Sequence, residues 1–390
     1  MTALVLLALA FSAGPAILFR RNLRVFHPPE LIGKNASTVA ILIPARDEER
    51  NIRAAVEAAL ANDGAEVLVL DDASTDRTRE IVTQIAQHEP RLRLLAGAAL
   101  PSGWIGKNWA CTQLANATDR HVLLFADADV RLAPHAANSL AAWMRANHAH
   151  LASGVPWQQM GTFTERLLVP VIHFVLLGFL PLARMRRSPH IAYATGCGQL
   201  VIADAAAYRQ AGGHASIRGL IHDGLALPKR FRAAGFRTDL FDATAIASCR
   251  MYRSNAETWR GFAKNTHEGL GAPARIIPAT CILLLGQVSP FVLLVFAARF
   301  SMLQFIGALI AAACALLPRL LAAKRFRQPI VAVVLHPLAI ITLLAIQWVG
   351  LLRLILHRPV RWKARTYSGA ESAGDGVPLA DAGEQIPQRI

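Results

Sequence analysis

The apolar run Leu123-Leu124-Phe125-Ala126 ends on Asp127-Ala128-Asp129, two carboxylates one residue apart at the open end of what reads as a buried strand. Acidic oxygens set this way suit a hard divalent cation, which takes oxygen ligands and keeps positions free for a substrate's phosphates. The same spacing also makes an ordinary turn in which aspartates bond their own backbone, so the pair alone leaves both readings open.

The elements that would position these acids come in pairs. Val39-Ala40-Ile41-Leu42-Ile43 reads as a buried strand broken at Pro44, and Ala45-Arg46-Asp47-Glu48-Glu49-Arg50-Asn51 as the acidic start of a helix. That helix carries Ile52, Val56, Ala59 and Leu60 at helical spacing. A second unit follows: strand Glu66 to Leu70, the turn Asp71-Asp72-Ala73-Ser74-Thr75-Asp76, and a helix with Ile81, Val82 and Ile85 on one face. Ser74 or Thr75 is expected to cap this helix, which leaves two adjacent acids at a buried strand end unexplained. Strand-then-helix units in succession predict an α/β fold with a parallel, doubly wound sheet, whose ligands bind at the carboxyl ends of the strands. Asp47, Asp72, Asp127 and Asp129 would share that rim.

Between the acidic motifs lies Gly103-Trp104-Ile105-Gly106-Lys107-Asn108-Trp109-Ala110-Cys111. Its glycines permit close backbone approach and Lys107 can neutralise a phosphate, although the spacing is not that of a Walker loop. Read alone, the stretch is equally an ordinary Gly-rich turn with a solvated lysine. Farther on, Thr195-Gly196-Cys197-Gly198 offers another Gly-rich turn into a strand, and Ile221-His222-Asp223-Gly224-Leu225 a further strategically short acidic segment.

Over roughly residues 38 to 267 these ordered motifs resemble the family-2 glycosyltransferases of GT-A fold, which move a sugar from a nucleotide donor. The resemblance implies that Asp72 contacts the nucleobase of a uridine-diphosphate sugar (UDP-sugar). It further implies that Asp127 faces the ribose or metal, that Asp129 holds a Mg or Mn cation on the diphosphate, and that Asp47 is a further donor-binding position. Asp223 aligns with the Glu-Asp motif whose aspartate serves that family as general base, with His222 in the glutamate's place and Gly224 where a larger residue is common. An inverting transfer needs such a carboxylate within reach of the acceptor hydroxyl. Gly106-Lys107-Asn108-Trp109-Ala110 resembles a segment of membrane-bound members that glycosylate carotenoids and other isoprenoid lipids, and of a hopanoid-associated branch.

The Gln-x-x-Arg-Trp motif of processive polymerases is missing, which favours a single transfer. In its place Arg250 to Asn265 resembles a stretch of the lipid-modifying members. There Arg253 and Lys264 would brace the diphosphate or dock on lipid headgroups, and Trp259 and Phe262 would lie at the membrane interface. Val360-Arg361-Trp362-Lys363-Ala364-Arg365-Thr366-Tyr367 resembles a signature near the end of the same branch, and reads equally as a juxtamembrane aromatic and basic anchor.

Apolar residues make up 54% of the chain, and the long apolar runs lie at both ends. Residues 3 to 19, closed by Arg20, Arg21 and Arg24, read as an uncleaved anchor whose basic end, with the domain after it, faces the cytoplasm of the inner membrane. Segments at about 276 to 298, 301 to 317 and 330 to 352 follow, the middle one short for a span of about 30 Å. Three full spans would leave the basic cluster Arg353 to Arg365 on the wrong side. One segment is therefore expected to be re-entrant or interfacial, with Pro337 marking a break. The apolar stretch 167 to 182 is expected to lie in the interface or to pack as a core helix.

The expected division is thus an anchor at 1–25, a GT-A domain at 26–275, membrane segments at 276–367 and a disordered tail at 368–390. The net charge of +15 clusters beside apolar segments, where anionic membrane lipids attract it, and no nucleic-acid-binding pattern occurs. Five scattered cysteines predict free thiols. The expected activity is an inverting, non-processive glycosyltransferase with a lipid hydroxyl as acceptor. A polyprenyl-phosphate acceptor and a non-catalytic membrane scaffold are the alternatives.

Overall fold

A computed structural model describes residues 1–33, 37–264, 266–356, 360–362 and 365–367. Its centre is a mixed sheet of eight strands: β1 (Val39–Ala45), β2 (Glu66–Asp71), β3 (Leu92–Ala96), β4 (Val122–Ala126), β5 (Val130–Leu132), β6 (Leu151–Gln158), β7 (Leu200–Asp204) and β8 (Thr238–Cys249). The order is β3-β2-β1-β4-β7-β6-β8-β5. The first four are parallel, β7 runs antiparallel to both neighbours, β6 and β8 are parallel, and β5 returns antiparallel on β8.

The strands are apolar throughout because both faces are covered. Ile41, Ile43, Val67, Val69 and Leu124 fill one side, and Leu42, Leu68, Leu70, Leu123 and Phe125 the other, which is the two-residue alternation of a strand. The chain opens on α1 (Thr2–Leu23). Within the sheet domain, α2 (Ile52–Leu60), α3 (Thr78–Ala86), α4 (Gly106–Asn116) and α5 (Ala136–Ala146) are the crossovers. Val82 is buried with Ile81 and Ile85 against the same core, as their spacing predicts.

Two local expectations are corrected. Pro44 does not end β1, which continues to Ala45 in register with β2 (Pro44 opposite Leu70). Strand β4 leaves β1 after Leu42, so the proline lies where one edge is already open and its missing N–H is tolerated. The acids after it do not start α2 either: the helix begins at Ile52. Instead the Asp47 carboxylate accepts from Thr75 N–H (2.8 Å), while Ser74 Oγ accepts from Asp47 N–H (3.0 Å). Ser74 and Thr75 therefore stitch the β1 and β2 loops together, and Asp76 serves the start of α3 by accepting from Thr78 N–H (2.9 Å).

Between β6 and β7 the apolar stretch becomes α6 (Phe163–Leu168), α7 (Val171–Phe179) and α8 (Leu182–Arg187). It packs as core: Leu168, Phe174 and Leu177 are buried against residues of the chain's two ends. After β7 come α9 (Ala205–Gln210) and α10 (Asp223–Ala233), and after β8 comes α11 (Asn255–Ala263). The C-terminal part holds α12 (Pro273–Leu283), a π-helical turn, α13 (Ser289–Val295), α14 (Met302–Arg325), α15 (Val331–Val334) and α16 (His336–Ile355).

By length and apolarity four helical segments can cross a membrane: 2–23, 273–295, 302–325 and 336–355. The middle C-terminal segment is thus not short but 24 residues long. Arg319, which interrupts the apolar run in the sequence, is buried inside the helix layer and donates to the carbonyls of Pro170 (2.5 Å) and Ala332 (3.2 Å). Small residues Ala308, Ala311, Ala312 and Ala315 are buried on α14, the helix that packs along α1.

At its end, Arg325 pairs with Asp242 of β8 (3.0 Å), so the chain returns to the sheet domain. The break expected at Pro337 falls just before it, because α15 and α16 meet at Leu335 and the proline sits in the first turn of α16. Helix α16 then lies against α6, α11 and the turn Thr266–Glu268. Val360–Trp362 pairs antiparallel with Arg365–Tyr367. Asn265, Lys363, Ala364 and the tail from Ser368 lie outside the described residues.

Leu124, fully buried in β4, tests this core. Leu124→Ala is expected to lower stability by about 3 kcal/mol, read as a drop in thermal midpoint in detergent with the fold retained.

Candidate active site

The carboxyl ends of β1, β2 and β4 open into one cleft of about 570 Å³. It gathers Asp47, Asp72, Lys107, Asp127, Asp129 and Arg253 from the sequence-predicted set. Asp223 stands at its inner wall through Lys107.

Asp72 directly follows β2; its N–H donates to the Ala45 carbonyl (2.8 Å), which joins the ends of β1 and β2. Arg46 Nη1 donates to the Asp72 carbonyl (2.7 Å) and lies 3.9 Å from its carboxylate. The Asp47 carboxylate is spent mainly on Thr75, so its contribution is to hold the loop that lines the cleft. Arg253 sits exposed at the rim, where its Nη2 donates to Asn51 Oδ1 (3.0 Å).

Asp127 and Asp129 form the turn between β4 and β5, with Asp127 N–H donating to the Gln199 carbonyl (3.0 Å) and Val130 N–H to the Asp127 carbonyl (2.9 Å). Asp129 Oδ1 is buried without a hydrogen-bond partner. Burial, then the charges of Asp127 and Glu48, push the Asp129 carboxyl up to about 7. A crowded carboxylate with one oxygen left unpartnered fits a cation, whose charge would relieve the repulsion. Among the described residues no three His, Cys, Asp or Glu form a complete cage. A cation held by Asp129 and Asp127 would need oxygens from elsewhere, as a hard ion shared with a diphosphate does.

Lys107, near the start of α4, is no solvated lysine. Its Nζ donates to Asp127 Oδ1 (2.6 Å), Asp223 Oδ2 (2.8 Å) and the Gly198 carbonyl (2.9 Å). Burial alone would favour the neutral amine, yet the two carboxylates hold the ammonium form well above the usual lysine range. Asp223 is the first residue of α10, and its Oδ1 accepts from Gly224 N–H (2.7 Å). Burial would raise its carboxyl, but the Lys107 ammonium overrides this and keeps it well below the ordinary carboxylate range.

The neighbouring glycines are explained by close approach. A Cβ on Gly198 would stand 2.1 Å from Asp223 Oδ1, and one on Gly224 would stand 2.8 Å from the Gly196 carbonyl. This is why Gly224 departs from the larger residue common in the resembled motif. His222 presents its backbone N–H, not its ring, to Glu268 (2.7 Å), and burial lowers its imidazole towards the neutral form.

Lys264 also lines the cleft, where burial and then Lys107 pull its ammonium down to about 8. Trp259 and Phe262, expected at a lipid interface, instead pack against the cluster that contains Leu167, Leu168 and Leu343. Sequence reasoning did not single out Arg46, Glu48 or Arg260, which share the cleft. Arg46 and Glu48 flank Asp47, and that adjacency is the signal that would have found them. All five cysteines are free.

Residues 40–208 match the family model described as Glycosyl transferase family 2. The chain is 25% identical over 260 residues to a 4,4'-diaponeurosporenoate glycosyltransferase of Staphylococcus haemolyticus, a match covering 66% of this chain and 68% of that one. A protein of the same name from Staphylococcus aureus is 23% identical over 293 residues, covering 73% and 75%. A solved mannosyltransferase of Pyrobaculum calidifontis, in complex with GDP-Man and Mn²⁺, matches with a TM-score of 0.53 at 16% identity. That match covers 91% of this chain and 99% of the other, and it identifies the fold as GT-A.

Because a cation must displace the proton on Asp129, its binding should weaken as pH falls below about 7 and level off above it. Titration with Mn²⁺ followed by electron paramagnetic resonance checks this, and Asp129→Asn is expected to weaken binding on the order of tenfold or more.

Proposed function

The chain carries a glycosyltransferase family 2 domain and is an enzyme that transfers sugar; from that premise we propose a single, inverting transfer of a hexose from a UDP-sugar to a carotenoid or related isoprenoid lipid. The observation that carries the reading is the junction at Asp223. One side of it opens through Lys107 to the cation-fitting acids, and the other is bonded through Glu268 to the turn that supports α16. A water-soluble donor and an apolar acceptor can therefore meet at one carboxylate.

In this reading Asp72 contacts the nucleobase, while Arg253 and Lys264 brace the diphosphate from the rim. A Mg or Mn cation held by Asp129 and Asp127 would supply charge neutralisation for the departing diphosphate. Asp223 takes the proton of the acceptor hydroxyl as that oxygen attacks the anomeric carbon, and the bond from that carbon to the nucleoside diphosphate breaks on the opposite face. Lys107 keeps Asp223 ionised. The acceptor assignment draws on the carotenoid named for the two staphylococcal relatives. The arginines closing α1 support a cleft on the cytoplasmic side of the inner membrane, where nucleotide sugars are made.

A second reading has an anionic acceptor such as polyprenyl phosphate. The observation favouring it is that Lys107 holds Asp223 so far below the usual range that it is a poor base in this state. An acceptor that is already anionic needs none.

Detergent-solubilised protein, Mg or Mn, a panel of UDP- and GDP-sugars and extracted isoprenoid lipids decide between them. Asp223→Asn is expected to cost about 10² to 10⁴ in rate with an alcohol acceptor, and a chelator to abolish transfer. Undiminished transfer by Asp223→Asn would move the assignment to the anionic acceptor. Consumption of GDP-sugars alone would overturn the uridine assignment, and failure with every lipid would overturn the acceptor class.

A further inference from the structure

We propose that Glu268, which lies outside the donor cleft, is a positioning residue for Asp223, and that α16 sets Glu268 through Thr266. The inference rests on the reading of Asp223 as the group that receives the acceptor's proton.

The Asp223 side chain is fixed by Lys107, but its backbone is fixed from the opposite direction. The N–H groups of Ile221 and His222, the two residues before α10, donate to the two oxygens of Glu268 at 2.8 and 2.7 Å. A carboxylate shared by two successive backbone donors makes charge-assisted bonds, about twice as strong as neutral ones. It fixes the path of the chain into Asp223. A small displacement there moves the carboxylate relative to the acceptor oxygen, and misplacement by about 1 Å costs on the order of a hundredfold in rate.

Glu268 is in turn placed by the apolar helices. It ends the turn Thr266–Glu268, and Arg275 of α12 donates to its carbonyl (3.0 Å). Thr266 is buried directly under Gly350 of α16, where a Cβ would come within 1.9 Å of Thr266 Oγ1. Gly271 is pressed in the same way, since a Cβ there would stand 2.9 Å from the Thr266 carbonyl and 3.0 Å from Gln347 Oε1 of α16. Movement of α16 is thus passed to Thr266, from there to Glu268, and then to the N–H of His222 beside Asp223.

The test compares wild type with Glu268→Gln, Glu268→Ala and Gly350→Val in the full-length protein. Glu268→Gln keeps the length but turns an amide NH₂ against a backbone donor. Gly350→Val drives a side chain into Thr266 from a helix that does not line the donor cleft. Donor affinity by calorimetry, Mn²⁺ binding, thermal midpoint, and kcat and KM are measured for each.

The expected result is a kcat lowered on the order of tenfold or more in Glu268→Gln and Gly350→Val, with the greater loss in Glu268→Ala. Donor KM and Mn²⁺ binding should stay within about twofold of wild type. Unchanged kcat in the two Glu268 variants, or a loss expressed only in donor KM or thermal midpoint, would overturn the proposal. The slow hydrolysis of donor by water, which needs no lipid and passes its proton to the same Asp223, is measured in parallel. A wild type silent towards every lipid but losing hydrolysis on Glu268→Gln would sink the acceptor assignment and leave this inference standing.

Discussion

Three carboxylates, Asp127, Asp129 and Asp223, converge on a partly enclosed cleft, and their mutual repulsion is the constraint around which the molecule is arranged. The Lys107 ammonium answers it by donating to Asp127 and Asp223 at once. For that ammonium to reach both, α4 must begin under the ends of β1 and β4, and the chain at Gly196 to Gly198 must pass close enough to lend a carbonyl. Asp129 is not reached by this lysine's hydrogen bonds, and its buried Oδ1 has no hydrogen-bond partner. The sheet supplies the scaffold and the lysine supplies the balance between the carboxylates of Asp127 and Asp223.

Much of this could be seen in the sequence because strands buried on both faces are written as continuous apolar runs, and each run stops at its carboxyl end on the acids it presents. Asp72, Asp127 and Asp129 were found in that way. Asp223 was found by resemblance, since it starts a helix and follows no apolar run that points to it. Lys107 was seen as a lysine in a Gly-rich turn, but its partners lie 20 and 116 residues away and no local pattern encodes them. The acids at 47 to 49 do not start the helix that local composition suggests, because in the fold their segment is used across the gap to the β2 loop.

At the C-terminal end the reading by hydropathy failed for a different reason. A window counts Arg319 as a cost, yet two backbone carbonyls inside the protein receive it, and α14 runs on to Arg325. The same count cannot distinguish a helix that leads away from the sheet domain from one that lies along it, because the distinction rests on contacts such as Gly350 with Thr266. The expectation that one segment does not cross came from a physical conflict in charge placement, whereas by length and apolarity all four helical segments can cross.

The buried guanidinium of Arg319 has a mechanical meaning. It grips the carbonyl that precedes α7 and the carbonyl of Ala332 on α15, while Arg325 six residues on clasps β8, so α14 is tied to three separate elements. The sheet domain is not a bead on a string beside its apolar helices. It is bolted to them at fixed points, so the protein itself sets the distance between its cleft and its apolar layer.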